Sequence, residues 1–229
     1  PANIIYGTAG NDDNVDNPWI VGSEGNDFVY AGEGDDIIIA GHGGGNDFYD
    51  GDGDNGQGFA GPGFDTIKFE SADGVIFDLY GIGELNRAFS ASTVLDNFIN
   101  IEAIVGSPGD DVFNLRTNDS WEIDGGGGFD ILRLVGDLDI RSGGIGPDVY
   151  NVEMVDLNSV GSNTVDIDID GVIDMNDAHT LRVTAGATDF IYITNEENLA
   201  GQWVLVERGH VFNDSHTGDT TFDKYEFVD

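Results

Sequence analysis

A rhythm of glycine, aspartate and one large apolar residue recurs about every nine positions between Gly22 and Lys68. Ala31-Gly32-Glu33-Gly34-Asp35-Asp36-Ile37-Ile38-Ile39 fits G-G-x-G-x-D-x-U-x, with U large and apolar, except at its first glycine. Gly22-Ser23-Glu24-Gly25-Asn26-Asp27-Phe28-Val29-Tyr30 and Ala60-Gly61-Pro62-Gly63-Phe64-Asp65-Thr66-Ile67-Lys68 follow the same template. Six residues of each copy suit a tight turn and three suit a short strand. Val29, Ile38, Tyr49 and Ile67 are expected to point inward as a thin apolar core. A core that thin does not offset chain entropy alone.

Other copies are less regular. Gly7-Thr8-Ala9-Gly10-Asn11-Asp12-Asp13-Asn14-Val15 has Asn14 at the U position and is expected to cap the stack. Gly41-His42-Gly43-Gly44-Gly45-Asn46-Asp47-Phe48-Tyr49-Asp50 carries extra residues before its turn, and Gly51-Asp52-Gly53-Asp54-Asn55-Gly56 is degraded. Gly106-Ser107-Pro108-Gly109-Asp110-Asp111-Val112-Phe113-Asn114 and Gly125-Gly126-Gly127-Gly128-Phe129-Asp130-Ile131-Leu132-Arg133 bring the rhythm back. These repeats resemble the RTX (repeats-in-toxin) family of Gram-negative bacteria. The resemblance implies an all-β chain, a parallel β-roll or β-helix solenoid with Ca2+ in its Gly/Asp-rich turns, and type I secretion of an unfolded chain. Asn100-Ile101-Glu102-Ala103-Ile104-Val105 followed by Gly106 to Asp111 looks like the join that precedes repeats in large RTX proteins. Residues 129–134, 152–157 and 180–184 are similar to the C-terminal region of very long RTX adhesins. Such proteins usually end in an uncleaved secretion signal, and residues 222–229 show no clear one.

The turn chemistry suits calcium on its own terms. Glycine accepts positive φ and lets backbone approach an ion. Aspartate supplies an anionic hard oxygen and turn carbonyls supply neutral ones; Ca2+ takes about 6–8 such oxygens. No single turn offers enough, so several ions are expected between stacked turns, fewer than the number of repeats. The candidate ligands are Asn11, Asp12, Asn26, Asp27, Gly32, Gly34, Asp35, Asp36, Gly45, Asn46, Asp47, Gly51, Gly53, Asp54, Gly61, Gly63, Asp65, Gly109, Asp110, Asp111 and Asp130. The competing reading of each aspartate is a solvated turn carboxylate. Two repeats per coil put same-side turns about 18 residues apart. Asp47 to Asp65, Asp111 to Asp130, and Asp27 to Asp47 are expected as such pairs.

Charge sharpens the point. Acidic residues outnumber basic ones 44 to 8, for a net charge of -36. Self-repulsion on that scale opposes compaction unless cations neutralise it. Nucleic acid and anionic lipid are therefore poor partners, and cations good ones. There is no cysteine, so no disulfide framework. No apolar run is long enough to span a membrane. The first residues, Pro1-Ala2-Asn3-Ile4-Ile5-Tyr6, lack a basic n-region, so a Sec leader is not expected there. The chain reads as a segment of a larger parent.

Three zones are expected: a repeat roll at 1–68, a continuation at 69–134, and a β-rich zone at 135–229. Val75-Ile76-Phe77-Asp78-Leu79 reads as a strand, and residues 85–98 as a short helix or a loop. In the third zone Val165, Ile167 and Ile169 alternate with aspartates, and Trp203-Val204-Leu205-Val206 and Tyr225-Glu226-Phe227-Val228 read as closing strands. Asp166-Ile167-Asp168-Ile169-Asp170-Gly171-Val172-Ile173-Asp174-Met175-Asn176-Asp177 also fits an EF-hand or dockerin loop. The apolar Ile167 and Ile169 favour a strand with one acidic face instead.

No HExxH, no G-x-S-x-G and no placed catalytic group occurs; His42 falls in a repeat turn. The expected function is a non-enzymatic, calcium-binding structural or adhesive module. It would fold outside the cell or at the bacterial surface after type I secretion. The alternatives are an accessory or catalytic part of a secreted polysaccharide-active enzyme, and a recognition module for an extracellular glycan, peptide, ice or host-surface ligand.

Overall fold

A computed structural model describes residues 2–8, 10–12, 20–22, 24–40, 45–53, 63–70, 73–90, 95–136, 147–157, 163–167, 181–185, 190–193, 202–214 and 218–228. Every regular element among them is a strand. One sheet has ten strands in the order β1 (Ile4–Tyr6), β3 (Phe28–Tyr30), β5 (Phe48–Asp50), β9 (Leu95–Ile99), β8 (Asn86–Ser90), β7 (Val75–Leu79), β11 (Val112–Leu115), β13 (Ile131–Leu134), β15 (Met154–Asp156) and β17 (Arg182–Thr184). A second has six, in the order β14 (Asp148–Tyr150), β12 (Glu122–Asp124), β10 (Ala103–Val105), β6 (Thr66–Phe69), β4 (Ile37–Ala40) and β2 (Ile20–Val21). Successive repeats deliver their strands to the two sheets in turn, and the repeat strands pair in parallel. That is the solenoid winding the nine-residue rhythm implies.

The U positions stack into two inner rows. In the six-stranded sheet, Ile20, Ile38, Ile67, Ile104, Ile123 and Val149 follow one another in register. In the ten-stranded sheet, Val29, Tyr49 and Phe98 form one run, and Phe77, Phe113, Leu132 and Val155 another. All of these are buried, and Phe77 stacks on Phe113 with ring centroids 4.7 Å apart. Each contributes about 1.5–3 kcal/mol of burial free energy. Val29, Ile38, Tyr49 and Ile67 lie where the pattern puts them.

Val75–Leu79 is a strand, as its alternation implies. Residues 86–90 and 95–98 are strand and not a helix or a loop: they belong to β8 and β9, an antiparallel excursion inside the parallel sheet. Asn86 hides the strand period. It sits fully buried at an inward position, accepting the Tyr80 N–H at 2.7 Å and donating to the carbonyls of Gly81 and Glu84.

Further along, β16 (Thr164–Ile167) pairs in parallel with β18 (Phe190–Ile193). β19 (Gln202–Asp214) and β20 (Gly218–Val228) form an antiparallel pair that contains both expected closing strands. The start of the EF-type sequence, Asp166 and Ile167, lies in β16; the rest of it, and the U position at Asn14, fall outside the described residues.

Candidate metal centre

Each repeat strand is entered through its aspartate, and strand register carries those aspartates into rows along the solenoid edges. Three rows form, each held by one repeated contact: a carboxylate oxygen accepts the backbone N–H of the equivalent residue on the adjacent coil, an acid in all but two cases. In the first row Asp36 accepts from Asp12 at 2.7 Å, Asp65 from Asp36 at 2.9 Å, and Glu102 from Asp65 at 2.9 Å. In the second, Asp27 accepts from Asn3 at 2.8 Å, Asp47 from Asp27 at 2.7 Å, and Asp96 from Asp47 at 2.9 Å. In the third, Asp111 accepts from Val75 at 2.5 Å, Asp130 from Asp111 at 2.8 Å, and Glu153 from Asp130 at 2.8 Å. An ionised acceptor makes such a bond charge-assisted and stronger than a neutral one.

The solvated-turn reading of these aspartates fails. Asp12, Asp27, Asp36, Asp47, Asp65, Asp111 and Asp130 are all at most 2% exposed. The pairs Asp27–Asp47 and Asp111–Asp130 are same-side neighbours as expected. Asp47 and Asp65 are not. Asp47 leads into β5 in the larger sheet and Asp65 into β6 in the smaller one, so they occupy different rows. Long connections between the first coils stretch the spacing from 18 residues to 24 between Asp12 and Asp36, and to 29 between Asp36 and Asp65.

Where an Asn or Asp precedes the row aspartate, it makes an outer, more exposed copy of the same contact. The Asn11 side chain accepts the Asp35 N–H at 3.1 Å, Asp35 that of Phe64 at 2.9 Å, and Asn26 that of Asn46 at 3.1 Å. Asn46 accepts from Leu95 at 3.3 Å, and Asp110 from Phe129 at 2.9 Å. These residues hold turn to turn.

The glycines are needed because the coils touch through backbone. A Cβ added at Gly45 would lie 2.0 Å from the Gly25 carbonyl oxygen, at Gly63 1.9 Å from that of Gly34, and at Gly32 2.5 Å from that of Thr8. Gly34 has φ of 114°, which an L side chain rarely adopts. At Gly51 a Cβ would strike the Asn100 carbonyl and Asp65 Oδ2, and at Gly53 the ring of Tyr30 and the Asp50 carboxylate. The Gly109 carbonyl lies within 2.7 Å of a Cβ placed at Gly128. Backbone oxygens of one turn are thus packed against the next. Asp54 and Gly61 lie outside the described residues.

Burial makes the rows electrostatically costly. Desolvation pushes the Asp65 carboxyl up to about 8, with the neighbouring acids Asp36, Glu102 and Asp52 adding to the rise. Desolvation also takes Asp130 to about 8, with Asp111, Glu153 and Asp110 contributing, and Asp96 to about 7, with Asp47 contributing. Asp47, Asp111 and Glu102 are raised for the same first reason. Asp65 Oδ2 is buried with no hydrogen-bond partner. The ion pairs Arg116–Asp78 and Arg133–Asp156 lie on the outer face of the ten-stranded sheet, away from the rows.

This donor set suits Ca2+. It offers hard carboxylate and carbonyl oxygens, and burial beside other acids gives its carboxylates more to gain from a bound cation than solvated ones would have. Among the described residues no three His, Cys, Asp or Glu side chains converge. An ion held here therefore draws most of its oxygens from backbone. Pattern reading missed three members of the rows: Asp96, Glu102 and Glu153. The signal for the two glutamates was present as a second motif, Asn100-Ile101-Glu102 and Asn151-Val152-Glu153.

Comparison with known proteins agrees with the repeat reading. Residues 19–42 match the family model for the RTX calcium-binding nonapeptide repeat (4 copies). No curated protein matches the chain. Among solved structures, the extracellular lipase LipA from Serratia marcescens overlays with a TM-score of 0.32 and 19% identity, covering 88% of this chain and 34% of that one. The chain thus spans about a third of that protein's length. No helix among the described residues is long and apolar enough to cross a membrane.

Proposed function

We propose that this chain is a calcium-dependent structural module of a secreted protein, whose solenoid closes when Ca2+ neutralises its rows of buried carboxylates. The single observation that carries the reading is the stacking itself: acids on adjacent coils, buried and hydrogen-bonded in series, in turns of the calcium-binding repeat type. Several ions are expected, one or more per row, with position-six aspartates and turn carbonyls as ligands. Folding and binding are then one process. A site held at a hundred times its dissociation constant adds about 2.7 kcal/mol to the folded state.

The biological consequence follows from concentration. Where free Ca2+ is low, the net charge of -36 keeps the chain expanded. Where it is millimolar, as outside a cell, the chain folds. The folded solenoid would stiffen a larger surface or secreted protein and help present an adhesive part of it; the acids serve structure and not catalysis.

Isothermal titration of the 229-residue chain with CaCl2 tests this. The expected result is binding of more than one ion, with fewer or weaker sites in Asp36→Asn and Asp111→Asn. Absence of any binding up to millimolar Ca2+ would reject the reading.

A further inference from the structure

The two glutamates that end their rows stand in turns unlike the repeat. Asn100 and Asn151 are the non-glycine residues with positive φ among those described, at 55° and 51°. A short asparagine turn thus adopts the left-handed backbone that glycine provides in the repeats. The asparagine carbonyls occupy the place of the first repeat residue. A Cβ on Gly51 would lie 1.9 Å from Asn100 O, and one on Gly125 2.0 Å from Asn151 O, just as one on Gly7 would lie 2.0 Å from Ala31 O. Each asparagine side chain also donates to an aspartate of the adjacent coil, Asn100 to Asp50 at 2.9 Å and Asn151 to Asp124 at 2.7 Å.

Two residues later the glutamate does what aspartate does elsewhere: it accepts the N–H of the preceding acid and leads directly into a strand. Glu102-Ala103-Ile104-Val105 and Glu153-Met154-Val155-Asp156 have the D-x-U-x order of a repeat with Glu for Asp, and Ile104 and Val155 are buried as U residues are. The longer side chain makes up for the shorter turn. Beyond each glutamate the row stops being acidic. Register places Trp121 next to Glu102 and Leu181 next to Glu153.

From this we infer that Asn-(Ile/Val)-Glu is a contracted repeat turn, and that Glu102 is a calcium ligand that, with Asp65, closes the last site of the first row. The inference rests on the calcium reading proposed above. Its independent support is Asp65 Oδ2, on the residue Glu102 bonds, buried and without a hydrogen-bond partner. A cation shared with the Glu102 carboxylate gives that oxygen a partner. Glu153 stands to Asp130 in the same geometry and is assigned the same role.

Native mass spectrometry of the full chain in Ca2+ counts bound ions directly. Glu102→Gln keeps an oxygen for the Asp65 N–H but loses the charge, so this one ion is lost while the remaining ions still hold the fold. The expected result is one ion fewer than wild type in Glu102→Gln, one fewer in Glu153→Gln, and two fewer in the double variant. Glu102→Asp, with its shorter reach, also loses that ion. If wild type binds Ca2+ and Asp36→Asn lowers the count while both glutamine variants keep the full count and affinity, the contracted-turn assignment is wrong and the calcium reading stands. If wild type binds no Ca2+, both are wrong. Circular dichroism of each variant in saturating Ca2+ separates ion loss from unfolding; loss of the fold in Glu102→Gln itself, with its hydrogen-bond acceptor intact, would assign the glutamate a purely structural role and overturn the inference.

Discussion

In metal-free buffer, lowering the pH from about 8.5 to 5.5 is expected to increase the β structure of this chain. Most proteins are not stabilised by acid in this way. The sign follows from the rows. Asp65 and Asp130 are raised from 3.8 to about 8, and Asp96 to about 7, chiefly by desolvation. A carboxyl whose folded pKa exceeds its unfolded one binds a proton in the folded state while the unfolded chain has released it. Stability therefore falls as pH rises from about 4 to about 8. General charge repulsion acts in the same direction. Calcium should act as the proton does, restoring structure at pH 8, and its apparent affinity should weaken toward pH 5.5 as protons compete. Circular dichroism against pH, with and without Ca2+, reads this out. Metal-free stability that is flat or rises between pH 5 and 8 would show that the rows are not the charge-limited element.

Gly51→Ala and Gly125→Ala should each cost as much as a severe core lesion, although glycine has no side chain to lose. The new methyl would lie 1.9 Å from the Asn100 carbonyl and 2.5 Å from Asp65 Oδ2 in the first case, and 2.0 Å from Asn151 O and 2.6 Å from Asp130 Oδ2 in the second. The obstacle is backbone on one side and a row carboxylate on the other, so relief requires the coils to separate. Overpacking of a core costs about 1–3 kcal/mol, and these contacts belong at or above the top of that range. For a chain of this size about 3 kcal/mol lowers the melting temperature by roughly 6–12 °C. Gly83→Ala, where a Cβ meets nothing within 4 Å, is the control and should melt with wild type in saturating Ca2+. Equal melting of all three would mean that the coils do not stack this closely.

The repeat period made the solenoid legible because each copy states its turn and its inward residue locally. Val29, Ile38, Tyr49 and Ile67 needed no tertiary knowledge. What the period could not state is how much chain lies between copies. Adjacent coils of the first row are 24 and then 29 residues apart and not 18, so Asp65 follows Asp36 and not Asp47. Strand β8 was obscured for a different reason: Asn86 is a buried polar residue whose partners, in residues 80–84, exist only once the chain has turned. The rows of acids were half visible. Aspartates in Gly-rich turns announce themselves, whereas Glu102 and Glu153 sit in turns with no glycine; their shared Asn-x-Glu triplet is visible in the sequence, but its equivalence to a repeat turn emerges through register.

The most direct measurement is small-angle scattering of the purified chain at pH 7.5 across a titration of free Ca2+ from nanomolar, set with EGTA, to millimolar. Binding-coupled closure of the solenoid predicts an expanded chain at the low end. It predicts a cooperative contraction to a compact rod within the titration, reversed by added chelator. A radius of gyration already compact in EGTA and unchanged by Ca2+ would contradict it.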